Sequence, residues 1–127
     1  MALNVLVVDD SAVMRAMLVR TLRLSALPLT NVYQAGGGAE ALKALTDHDV
    51  DLALIDVDMP VMSGEQLIDA VRGDSRLAGV ALVVVSPEGD VARTVALKSR
   101  GVTTLVKPFT PEQVRATVLR VLGVADA

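Results

Sequence analysis

Two hydrophobic periods alternate along this chain five times. Short apolar runs occur at residues 4–8, 51–55, 80–85 and 103–106, with a more polar one at 30–34 after Pro28. Unbroken apolar runs of this length suit strands buried on both faces of a sheet. Between them the spacing becomes helical. Ser11 can cap a helix over 12–24, in which Val13, Met14, Met17, Leu18 and Leu22 share one side. Gly36-Gly37-Gly38 opens a shorter helix over 39–46, with Ala41, Leu42 and Leu45 inward. Ser63 and Gln66 have capping-box spacing before a helix carrying Leu67, Ile68 and Val71, ended by Gly73. Asp90 can cap a helix that runs to Arg100, and Gly101 suits a left-handed position after it. Thr110, Pro111 and Gln113 supply cap, first turn and capping box for a last helix with Val114, Val118, Val121 and Leu122. The tail, 123–127, is expected to fray.

Strict strand–helix alternation implies parallel strands joined by right-handed crossovers. In such open sheets ligands sit beyond the carboxyl ends of the strands, where strand order reverses. The polar residues that end these runs are Asp9 and Asp10, Asp56, Ser86, and Lys107. If the strands are neighbours, three carboxylates and one ammonium meet at one sheet edge. That set can build a divalent-metal site with a nucleophile and a cationic clamp.

Composition narrows the rest. At 127 residues the chain is expected to form one domain, residues 1–127. It is 52% hydrophobic with one Phe and one Tyr, so its core must be Val, Leu and Ala. A net charge of -3 gives no electrostatic reason to bind nucleic acid or an anionic membrane. Without cysteine, disulfides and thiolate metal sites are excluded. The first residues lack a basic segment leading into a long apolar stretch, so no signal peptide is read there. No apolar run approaches the ~20 residues of a membrane span. A cytoplasmic, monomeric protein is expected.

Val8-Asp9-Asp10-Ser11, Ile55-Asp56-Val57-Asp58-Met59-Pro60 with Gly64, Val84-Val85-Ser86, and Val106-Lys107-Pro108-Phe109 resemble, in order, the receiver domain of bacterial two-component response regulators. The resemblance is in particular to the stand-alone CheY type, and it spans the whole chain. It implies a flavodoxin-like (βα)5 α/β fold with a five-stranded parallel sheet of order 2-1-3-4-5, an order taken from the family. It implies that Asp56 is the phosphoacceptor. Asp10 and Asp56 would ligate Mg²⁺ (or Mn²⁺) directly and Asp9 through water, with the backbone carbonyl of Asp58 completing the protein ligands. Ser86 would hold a phosphoryl oxygen, and Lys107 would pair with the phosphoryl group. The donor would be a histidine kinase phosphohistidine. The output would be a protein target on the face formed by residues 91–100, 103–106 and 112–122, in signalling of the chemotaxis or motility kind. Such a protein is no metabolic enzyme: it catalyses only its own phosphorylation and dephosphorylation. The resemblance also implies a cis Lys107–Pro108 bond.

The chemistry supports these roles independently. Mg²⁺ takes hard oxygen ligands, usually one or two carboxylates with waters and phosphate oxygens. A carboxylate can attack phosphorus to give an acyl phosphate. The transferring group spreads charge over its oxygens, so positioned positive charge does most of the work.

Each residue also has a plain reading. Asp9-Asp10 can be a solvated strand end, Asp56 a turn former, Lys107 a surface lysine, and Ser86 a turn cap. Met14 and Met17 read as core, and Arg15, Arg20 and Arg23 as a solvated helix face. His48, the only histidine, receives no chemistry. Three departures from the family stand out. Thr104 occupies the place of an aromatic switch residue three before the lysine. Pro87 fixes φ and removes a backbone N–H beside the phosphoryl position. Asp58 and Glu88 add negative charge at the entrance. Two rivals remain: a pseudo-receiver that binds proteins without phosphorylation, and a phosphatase resembling the haloacid-dehalogenase type through Asp56-Val57-Asp58.

Overall fold

A computed structural model describes residues 2–87 and 89–124; Glu88 and positions 125–127 of the expected frayed tail lie outside them. The chain runs β1 (Leu3–Val8), α1 (Ala12–Leu24), β2 (Leu29–Ala35), α2 (Gly38–Asp47) and β3 (Leu52–Asp56). It continues through α3 (Gly64–Arg72), a 3-10 turn (Ser75–Leu77), β4 (Ala81–Ser86), α4 (Val91–Ser99), β5 (Thr103–Val106) and α5 (Pro111–Leu122). The strands form one sheet of order β2-β1-β3-β4-β5. Every pairing is parallel. The expected order is therefore observed, and it reverses between β1 and β3.

Alternate residues of the central strands enter two separate cores. Val5, Val7, Leu52, Leu54, Val83 and Val85 face Leu18 and Leu22 of α1 and Val114 and Val118 of α5. Leu6, Val8, Ala53, Ile55, Leu82 and Val84 face Ala41 of α2, Leu67 and Ile68 of α3, and Leu97 of α4. Burial on both faces explains why these strands read as continuous apolar runs. Among the described residues no helix is long and apolar enough to cross a membrane.

Caps behave as the sequence requires, with one exception. Ser11 accepts the Met14 N–H, and both the Ser63/Gln66 and Thr110/Gln113 boxes close. Asp90 precedes α4 without capping it through its side chain; its carboxylate instead pairs with Arg93. The 3-10 turn was not anticipated; its signal is Asp74, which accepts the Arg76 N–H. Gly101 takes the left-handed φ of 77° expected of it.

The stripe read on α1 is too wide. Met14, Leu18 and Leu22 form the column nearest the sheet, while Val13 and Met17, one column over, are 70% and 56% exposed. Met14 and Met17 line a groove with Pro108 and Phe109.

Candidate functional site

The β1 end is turned by its own side chain. The Asp9 N–H continues the ladder to the Ala35 carbonyl at 3.1 Å. Its Oδ1 accepts the Ser11 N–H at 2.9 Å, bending the chain into α1. Asp9 is 2% exposed, and its Oδ2 is buried with no hydrogen-bond partner among the described residues. Asp10, next along, is exposed.

Asp56 closes β3 and is 8% exposed. Its Oδ1 accepts the Asp58 N–H at 3.3 Å. Oxygens of Asp9, Asp10 and Asp56 all lie within 4.8 Å of one another. On β4, in register with β3, Ser86 follows Val85, the partner of Asp56. The Lys107 N–H donates to the Ser86 carbonyl at 2.9 Å, fixing the start of the β5–α5 loop. The Lys107–Pro108 bond is cis, as the resemblance implied.

The charges conflict. Burial, then the negative charge of Asp9, pushes the Asp56 carboxyl from 3.8 to about 6, against the Asp58 N–H and Lys107. Burial also raises Asp9, opposed by the Ser11 N–H and Lys107. Two buried carboxyls that resist ionisation side by side, one with an unpartnered oxygen, fit a hard divalent cation: an all-oxygen donor set suits Mg²⁺ or Mn²⁺. The Asp58 carbonyl sits on the same loop. Lys107 influences both carboxyls but forms no ion pair among the described residues.

A family model of the response regulator receiver domain matches residues 5–119. The chain belongs to this family. It is 36% identical over 126 residues to "Chemotaxis protein CheY1" of Helicobacter pylori, covering 98% of this chain and 100% of that protein. It is 35% identical over 123 residues to a "Chemotaxis protein CheY homolog" of Campylobacter jejuni, covering 95% and 93%. Among solved structures it resembles the chemotaxis response regulator CheY4 of Vibrio cholerae. That match has a TM-score of 0.80 at 34% identity and covers 95% of this chain and 99% of that one. Receiver domains of this type are signalling proteins rather than metabolic enzymes, and the acidic cluster is compatible with Mg²⁺.

Family membership removes the phosphatase rival, and the receiver's geometry agrees. Asp56 ends the third strand, and the Asp58 carboxylate lies outside the cluster, paired with Arg93 at 2.7 Å. That pair offsets the negative charge that Asp58 adds at the entrance. Arg93 further reaches Asp90 at 3.3 Å and Glu65 at 3.7 Å. Arg15, read as part of a solvated face, is half-exposed and bonded: it donates to the Asp9 carbonyl at 2.7 Å and to Gln34 Oε1 at 3.3 Å. The sequence signal for Arg93 was its i,i+3 spacing from Asp90; for Arg15 it was a place in the first turns of α1, beside the acids.

The β3–α3 loop is tightly constrained. A Cβ on Gly64 would stand 2.7 Å from the Asp56 carbonyl oxygen and 2.9 Å from the Val57 Cα, so only glycine fits there. Val61 is fully exposed at φ 67°, a strained conformation for a β-branched residue. Thr104 lies half-buried on β5 opposite Val84.

Proposed function

We propose that this receiver accepts a phosphoryl group on Asp56 from a histidine kinase, with Mg²⁺ bound by Asp9, Asp10, Asp56 and the Asp58 carbonyl. The observation that carries this is the convergence of the three carboxylates within 4.8 Å at the β1/β3 switch point. The bound cation would neutralise the clustered carboxylates and the incoming phosphoryl oxygens. An Asp56 carboxylate oxygen attacks phosphorus and the phosphohistidine N–P bond breaks. The electron pair leaves with the imidazole nitrogen, which takes a proton from solvent. Lys107 and Ser86 bind phosphoryl oxygens as charge spreads over them.

The acyl phosphate adds roughly one to two negative charges at a buried strand end. The output surface would be α4, β5 and α5, where exposed Val91, Val95 and Val106 give a protein target apolar area. Relatives named for chemotaxis favour motility signalling in the cytoplasm.

Intact-mass spectrometry after incubation with Mg²⁺ and phosphoramidate tests the reading. Wild type gains one phosphoryl mass, and Asp56→Asn gains none. Equal gain in both would move the acceptor elsewhere. No gain in wild type, together with no Mg²⁺ binding, would leave the pseudo-receiver.

A further inference from the structure

The Ser86 hydroxyl is fully buried yet poorly bonded. It lies 3.4 Å from the Pro87 carbonyl and 3.5 Å from Thr94 Oγ1 on α4. Good O–H···O bonds are about 2.7–2.8 Å long, so both contacts are weak. Proton bookkeeping fixes their direction. Thr94 donates its single hydroxyl proton to the Asp90 carbonyl at 2.9 Å. It must therefore accept from Ser86, whose one proton is divided between two distant acceptors.

We propose that Thr94 is the positioning residue for the Ser86 hydroxyl and the point at which α4 registers its movement, the part usually given to an aromatic on β5. The inference rests on the phosphorylation reading above. A phosphoryl oxygen is a charged acceptor, and bonds to such groups are shorter and stronger than neutral ones. Pro87 supplies no N–H, so Ser86 is the donor that this strand end offers. When the Ser86 proton turns to the phosphoryl group, the bond to Thr94 is lost.

α4 is placed to respond. Leu97 is its one buried side chain. Among the described residues its ties to the β3 and β4 ends are polar and come from consecutive residues: Arg93 to Asp58, and Thr94 to Ser86. Val91 and Val95 face outward. Breaking the Thr94 contact removes a β4 tie from a thinly anchored helix. Thr104, small and half-buried, has too little side-chain area to transmit the change itself.

Hydrogen exchange over residues 91–99, read by mass spectrometry on the full chain with Mg²⁺ with and without phosphoramidate, tests this. In wild type, phosphorylation should speed exchange of this segment about twofold, the effect of losing a hydrogen bond at the weak end of the net range. Thr94→Val should show the faster exchange already before phosphorylation, with no further change on phosphorylation. Thr94→Ser, which keeps the hydroxyl, should restore the wild-type response. The full wild-type response in Thr94→Val, or failure of Thr94→Ser to restore it, overturns the proposal. If wild type gains a phosphoryl group on Asp56 while α4 exchange stays constant, this inference falls alone. If Asp56 gains none, the phosphorylation reading falls with it.

Discussion

The two ends of the sheet treat their polar groups in opposite ways. At the amino end of the strands, polar groups are paired. The Asn4 N–H donates to Asp51 Oδ2 at 2.8 Å, and its side-chain amide donates to the Asp49 carbonyl at 2.8 Å. Asn31 donates to Asn4 Oδ1 at 3.0 Å, and Arg72 to the Val80 carbonyl at 3.3 Å. At the carboxyl end, Asp9 keeps an oxygen with no partner among the described residues, the Asp56 carboxyl is pushed to about 6, and the Ser86 hydroxyl has only long contacts. Identical backbone topology supports both ends, so the fold does not require the frustration. Polar groups left short of partners at one pole alone are the pattern expected of a binding site rather than of a structural end.

The largest test of this contrast is at Asp56. Its carboxyl titrates near 6 in the fold against an ordinary 3.8. A raised folded pKa means that the fold favours the protonated form. That contribution is whole below about pH 4 and lost as pH climbs through about 6. At pH 7 without metal, Asp56→Asn should therefore be more stable than wild type by about 3 kcal/mol in urea unfolding. A destabilised Asp56→Asn would mean that the carboxylate is already satisfied, and the contrast between the poles would fail.

The pH profile sharpens the same point. With EDTA, wild type should lose stability relative to Asp56→Asn between about pH 4 and 6, with parallel curves outside that window. With Mg²⁺ present the loss should shrink or reverse, because the cation binds the ionised form and competes with the proton. Mg²⁺ affinity should accordingly fall on acidification below about 6. Affinity independent of pH from 5 to 7 would separate Asp56 from the metal.

Much of this was legible in the sequence, and the reason is physical. Strands buried on both faces must be apolar throughout, so β1, β3 and β4 stood out. Capping boxes are local chemistry, so Ser63/Gln66 and Thr110/Gln113 marked helix starts. Alternation put the acids at 9, 10 and 56 at strand carboxyl ends, and the family's strand order made β1 and β3 neighbours. What escaped depended on tertiary distance. No spacing rule shows that Arg93 reaches Asp58, that Arg15 folds back onto the Asp9 carbonyl, or that Thr94 stands under Ser86. Val13 and Met17 went astray because a helical stripe gives a face, while its width depends on how closely α1 packs on α5.

At the paired pole the expected sign is opposite and the effect smaller. Asp51→Ala removes the acceptor of the Asn4 N–H and should cost about 1 kcal/mol, while Asp51→Asn keeps an acceptor and should cost less. Thermal or urea unfolding reads both. If Asp51→Ala is as stable as wild type, the pairing there contributes nothing and the two ends differ less than their geometry suggests.

The smallest effect separates two kinds of frustration at the carboxyl pole: charge and backbone strain. Val61 holds φ at 67° while fully exposed, so it gains no packing to offset its conformation. Left-handed backbone costs an ordinary L-residue roughly 1–2 kcal/mol, and Asn tolerates it better than Val. Val61→Asn should therefore raise stability by about 1 kcal/mol, seen as a higher melting temperature. The Mg²⁺ affinity should stay within about twofold, because the three clustered carboxylates lie on other residues and Asp58 lies upstream of Pro60. A stabilised variant with unchanged affinity assigns the binding frustration to charge alone. Affinity falling about tenfold with the gain in stability would make the strain at Val61 part of how the loop presents its carbonyl.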